Sequence, residues 1–191
     1  MTESTSGTSQ DFGQLSTRDG RLVVEFTRRL PHSPEKVWRA LTEPDHLDAW
    51  FPTTIQGERA AGARLHFAFR EMEAEAFEGE MLAFKPPSLM ELRWGDDILR
   101  FEVRPDGDGS VLSFTDTVEE VGKAARDGAG WHSKLDHLAY ELDGEKPPWQ
   151  EADHWRELWE AYIERFGPEA SAIGPPEEWE RVHGAAIHGA G

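Results

Sequence analysis

The chain has 191 residues, a net charge of −17, 38% apolar and 30% charged residues, and no cysteine. That length suits one domain with short extensions. The acid excess repels phosphate backbones and anionic membrane surfaces, which sets nucleic-acid binding and membrane insertion aside. Without cysteine there are no disulfides, thiolate metal sites or thiol nucleophiles, which fits a cytoplasmic protein. No apolar run approaches the roughly 18 residues that span a bilayer, and Met1 to Gln10 carries neither the basic nor the apolar part of a signal peptide.

Residues 1–20 are rich in Ser, Thr and Gly, lack periodicity, and are expected to be disordered. The globular part opens with a strand from Arg21 to Leu30, in which Leu22, Val24, Phe26 and Leu30 share one parity and Arg28 is the exception. Pro31 breaks it. Ser33 is a good N-cap and Pro34 a good first helical residue, and Val37, Trp38 and Leu41 form one apolar stripe. Thr42 ahead of Glu43 and Pro44 repeats the cap-and-proline signal for a second short helix ending near Trp50, and Pro52 closes it.

Strands with turn punctuation follow. Leu65, Phe67 and Phe69 alternate with polar or small neighbours, and Phe77 to Phe84 is the next strand, turned by Lys85–Ser88. Met90, Leu92 and Trp94 share a parity before the hairpin signal Gly95–Asp97. Leu99, Phe101 and Val103 lead to the turn Pro105–Gly109, and Leu112, Phe114 and Asp116 continue beyond it. Strands joined this tightly predict an antiparallel meander.

The period then changes. Trp131, Leu135, Leu138 and Leu142 mark one face of a long helix stopped by Gly144, and Trp155, Leu158, Trp159, Tyr162 and Phe166 mark a second helix over residues 151–166. The domain plan is therefore a tail over 1–20, a core over 21–145, an added helix within 146–167 packed on that core, and a disordered tail over 168–191.

Several of these pieces resemble one family in order and spacing. They are Ser33–Trp38, Thr42–Leu47, Trp50–Phe51, Gly79–Met81 leading to Pro86–Pro87, Leu92–Trp94, Gly130–Trp131 and Leu135–Leu138. Together they resemble the START-like (SRPBCC) superfamily, in the branch named after the C-terminal domain of the heat-shock protein 90 ATPase activator. The resemblance covers about residues 21–145 and implies the α+β helix-grip fold, with an antiparallel sheet of about six or seven strands wrapped around a long C-terminal helix. It also implies a cavity between sheet and helix, which several members fill with small molecules.

The candidate ligand-binding residues follow from the inward parities and the helical corner: Trp38, Trp50, Phe51, Phe67, Phe69, Met90, Leu92, Trp94, Phe101, Phe114, Asp116, Trp131, Leu135 and Leu138. An aromatic pocket binds flat or chain-like apolar molecules by area burial, at about 25 cal/mol per Å². The expected ligand is a lipid, polyketide or aromatic metabolite. Against this stands the plain reading that these side chains fill a core and staple the corner.

No catalytic residue is assigned. Asp116 is the one acid on an inward parity, at a strand end where solvation or capping would suit it, and His66, His132 and Arg93 join it only if they turn inward. His132 and His137 lie five apart on different faces of a helix, so no metal and no cofactor is expected. The acidic run Glu71, Glu73, Glu75, Glu78 and Glu80 reads as a solvated strand edge. Two alternatives stand beside the ligand binder: a protein-interaction module related to the ATPase activator, and an enzyme of polyketide-cyclase or hydrolase type. Either a monomer or a homodimer fits.

Overall fold

The computed structural model describes residues 12–70 and 73–183. Eight strands form one antiparallel sheet: β1 (Gln14–Arg18), β2 (Arg21–Leu30), β3 (Thr53–Gln56), β4 (Arg64–Phe69), β5 (Phe77–Lys85), β6 (Leu89–Trp94), β7 (Asp97–Asp106) and β8 (Gly109–Val118). Their order is β1-β2-β8-β7-β6-β5-β4-β3. Between β2 and β3 lie the short helices α1 (Pro34–Thr42) and α2 (Pro44–Trp50). The long helix α3 (Ala124–Asp143) follows β8, and α4 (Glu151–Phe166) and the short α5 (Glu177–His183) complete the described residues. This is the helix-grip arrangement, with one strand more than the upper expectation. Among the described residues no helix is long and apolar enough to cross a membrane.

Local chemistry explains most boundaries. Ser33 Oγ accepts from the Lys36 N–H at 3.3 Å and caps α1. The cap of α2 departs from expectation. Glu43 occupies that position without a side-chain bond, while the Thr42 hydroxyl donates back to the Trp38 carbonyl at 2.8 Å. Gly144 ends α3 in the left-handed conformation at φ 70°. On β8 the inward residues Ser110, Leu112, Phe114, Asp116 and Val118 are all buried, as the alternation requires.

Four corrections concern what the sequence hides. The expected N-terminal tail over 1–20 contains β1, which pairs with β2 from Gln14↔Glu25 to Arg18↔Arg21. Its turn is Asp19–Gly20, both at positive φ, which is the two-residue hairpin signature. Residues 1–11 lie outside the described residues, as do Glu71 of the acidic run and the tail beyond 183. Strand β3, which no alternation announces in four residues, pairs with β4 from Thr53↔Phe69 to Gln56↔His66. Helix α3 starts at Ala124 rather than near Trp131. Gly128 and Gly130 weaken the helical pattern there, but a Cβ at Gly128 would meet the Tyr162 ring at 3.1 Å, so α4 packs closely because that residue has no side chain. The tail expected over 168–191 likewise contains α5.

Candidate functional site

The core between the sheet and α3 is tightly filled. Trp50, Phe51, Phe67, Met90, Leu92, Phe101, Phe114, Leu135 and Leu138 are each at most 1% exposed. A side chain that offers no surface to a water-sized sphere lines neither the outside nor an internal void. Ring contacts join them: Phe101 and Phe114 lie 4.7 Å apart, and Trp50 meets Phe51 at 5.3 Å. The indole N–H of Trp50 donates to the Ala40 carbonyl at 2.9 Å, which staples the helical corner. Trp38, 7% exposed, packs on Phe84.

Three of the candidate residues stand elsewhere. Phe69 ends β4, Trp94 ends β6, and Trp131 lies on the second turn of α3. Because both strands stop there, their last inward rings reach past the packed interior. They line a cleft of about 320 Å³. The rest of its apolar lining comes from Pro52, from Trp155 of α4, and from Pro175, Pro176 and Trp179 of the C-terminal segment. Trp94 and Trp131 meet edge to face at 5.9 Å, and Trp155 and Trp179 lie 4.2 Å apart. Sequence reasoning missed the C-terminal part of this lining, Pro175, Pro176 and Trp179. The signal available was Trp179, an isolated large aromatic just after Pro175–Pro176.

The polar lining is ion-paired. Arg126 Nε donates to Asp127 Oδ1 at 2.8 Å, and Lys134 pairs with Glu151. Ser133 also lines the cleft, and its buried hydroxyl finds no protein partner among the described residues.

Behind Trp131 lies a buried carboxyl cluster. Oxygens of Asp97, Asp116 and Asp127 fall within 4.8 Å of one another. The Trp131 indole N–H donates to Asp116 Oδ2 at 3.1 Å, while Asp116 Oδ1 is buried without a partner. Lys123 Nζ donates to Asp97 Oδ2 at 2.6 Å and stands 4.0 Å from Asp127 Oδ2. Asp116 is only 1% exposed, so its expected place at a solvated strand end is corrected. Burial, and then the charges of Asp127 and Asp97, hold its carboxyl well above the usual range, against the smaller pulls of Lys123 and Trp131. Burial also raises Asp127, against the charge of Arg126. For Lys123 burial opposes the charge, but the bond to Asp97 together with the charges of Asp97, Asp127 and Asp116 outweighs it and the amine is raised. The donor set has the hard oxygens a divalent cation takes, yet the Lys123 ammonium supplies the counter-charge at that place.

A second polar cluster sits farther along α3. Gly13 N–H donates to Tyr162 Oη at 2.7 Å, and Tyr162 Oη lies 3.0 Å from His132 Nδ1. Asp136 gathers His154 Nε2 at 2.8 Å, His132 Nε2 at 3.6 Å and Arg28 at 3.6 Å. Burial pushes His132 down to about 4 and Tyr162 above its ordinary range. His132 therefore turns toward Tyr162 and away from the cleft. His66 is engaged with Glu78 at 2.6 Å, and Arg93 is exposed.

The model of the family described as activator of Hsp90 ATPase homolog 1-like protein matches residues 31–143. No curated protein matches the chain. Among solved structures, a conserved protein of unknown function from Enterococcus faecalis is similar at 20% identity and a TM-score of 0.66, over 80% of this chain and 89% of that one. CalU16 from Micromonospora echinospora is similar at 20% identity and 0.65, over 82% and 96%. A protein from Bordetella parapertussis is similar at 25% identity and 0.62, over 86% and 95%. These likenesses establish the fold.

Proposed function

We propose that this chain, which belongs to the activator of Hsp90 ATPase homolog 1-like family, is a cytoplasmic binder of a small hydrophobic molecule. The observation that carries the reading is the cleft at the sheet's end. There Phe69, Trp94, Trp131, Trp155 and Trp179 together line about 320 Å³. A cleft of that size suits an aromatic or short-chain ligand, held by area burial at about 25 cal/mol per Å² and oriented by a few polar groups. Ser133 Oγ, buried and unpaired, is a hydrogen-bonding group that such a ligand would satisfy. In this reading the fully buried candidates, Phe67, Met90, Leu92, Phe101, Phe114, Leu135 and Leu138, form the rigid floor that sets the positions of the cleft rings.

Native mass spectrometry of protein incubated in host lysate tests this. A reproducible small-molecule adduct, lost in Phe69→Ala and Trp179→Ala, is expected. A bare protein mass across several extracts would remove the reading. The family's description favours a second reading, a module that binds a heat-shock protein 90 homologue. Affinity capture decides it: recovery of that chaperone supports the module, and an empty eluate counts against it.

A further inference from the structure

Four of the eight tryptophans in the chain, Trp94, Trp131, Trp155 and Trp179, line one cleft. Area burial alone does not require so many indoles, because leucine or phenylalanine buries apolar surface equally well. What an indole adds is an electron-rich face, the best of the aromatic faces for a cation. We propose that the cleft selects organic cations with an apolar body, of the alkyl- or benzyl-trimethylammonium class. This rests on the cleft being the ligand site and names the chemistry of what enters it.

Three observations support the sign of the charge. First, the basic groups of the lining are already committed, Arg126 to Asp127 and Lys134 to Glu151. An anion would have to draw one of them from its carboxylate, whereas a cation meets the ring faces without breaking either pair. Second, the Trp131 N–H donates to the carboxyl of Asp116 at 3.1 Å. Donation from the indole nitrogen shifts electron density toward the ring and strengthens its hold on a cation. Third, the net charge of −17 raises the local concentration of cations and lowers that of anions around the whole molecule. A tetraalkylammonium group has no N–H to donate, so ring faces and steric fit, rather than carboxylate hydrogen bonds, would recognise it.

The test is calorimetric titration of the full chain at 0.15 M salt with three probes of one shape. These are benzyltrimethylammonium, the neutral carbon analogue neopentylbenzene, and the anion benzylsulfonate. The cation is expected to bind about 3- to 30-fold more tightly than the neutral analogue, the span of a desolvated cation–ring contact, and the anion most weakly. Trp179→Leu keeps apolar surface at the rim and removes one indole face. It is expected to weaken the cation and leave the neutral probe unchanged. Equal or tighter binding of the neutral probe would overturn the cation preference and leave the cleft reading standing. Failure of all three probes to bind would overturn both.

Discussion

The two polar clusters buried against α3 differ in how they close their valences. Around His132 each strong group meets a partner: Tyr162 takes the Gly13 N–H and reaches His132, and Asp136 gathers His154 and Arg28. That cluster ties the segment just before β1 to β2, α3 and α4. Around Asp116 the count does not close. Asp116 Oδ1 and Asp127 Oδ2 are buried without hydrogen-bond partners, the three carboxyls have Lys123 and Arg126 as their cations, and the cleft lies alongside. Buried polar groups that only hold a fold together are normally satisfied. On the proposed reading the open cluster goes with the cleft, and the closed one with the scaffold.

The largest test breaks the closed cluster. Tyr162→Ala removes a fully buried ring together with both of its hydrogen bonds, and is expected to cost roughly 3–5 kcal/mol in urea unfolding. Tyr162→Phe keeps the ring and isolates the effect of the hydroxyl at about 1–3 kcal/mol. If Tyr162→Phe proved neutral, the network would not be a lock.

Next comes pH, where the clusters pull in opposite directions. His132 is held at about 4 against an ordinary 6.5, so between those values the native state binds fewer protons than the unfolded chain. Its contribution is full above 6.5 and lost as pH falls through that window, amounting to roughly 3 kcal/mol. Asp116 is raised above 3.8, so its contribution is full below that value and lost as pH rises toward its folded value. Urea midpoints from pH 4.5 to 7 should therefore rise less steeply in His132→Gln and more steeply in Asp116→Asn. Parallel curves for the wild type and both variants would contradict the assignment.

A smaller effect is expected at fixed pH. Asp116→Asn keeps an acceptor for the Trp131 N–H and removes a carboxyl that burial disfavours, so at pH 7 it should be neutral or stabilising by about 1 kcal/mol. A loss beyond about 2 kcal/mol would mean that an ionised Asp116 is needed against Lys123. The smallest change in stability belongs to the rim. Trp179→Ala should alter unfolding by less than about 1 kcal/mol while weakening ligand binding, which thermal melts with and without ligand separate.

Much of the fold was legible because alternation and helix period report burial directly. Strand β8 and helix α4 lie where their apolar spacing placed them. The site was less legible, since parity says which residues face inward but not where the inward space is full. Phe67 and Phe69 share a parity on β4, yet Phe67 is 0% exposed in the core and Phe69, at the strand's end, lines the cleft. Nor does periodicity report that Trp179, in a segment rich in Pro and Glu, folds back onto Trp155. The carboxyl cluster escaped because Asp97, Asp116 and Asp127 share no sequence spacing and are brought together from β7, β8 and α3.

The most direct test of the cleft as the ligand site is the response of the indole N–H signals in a ¹H–¹⁵N NMR titration with a small neutral aromatic probe such as 1-naphthol. The account predicts saturable shifts for Trp94, Trp131, Trp155 and Trp179, with Trp50, bonded to the Ala40 carbonyl in the core, unmoved. Shifts centred on Trp50 and Trp38 with the cleft indoles unmoved would place the ligand inside the grip and contradict it.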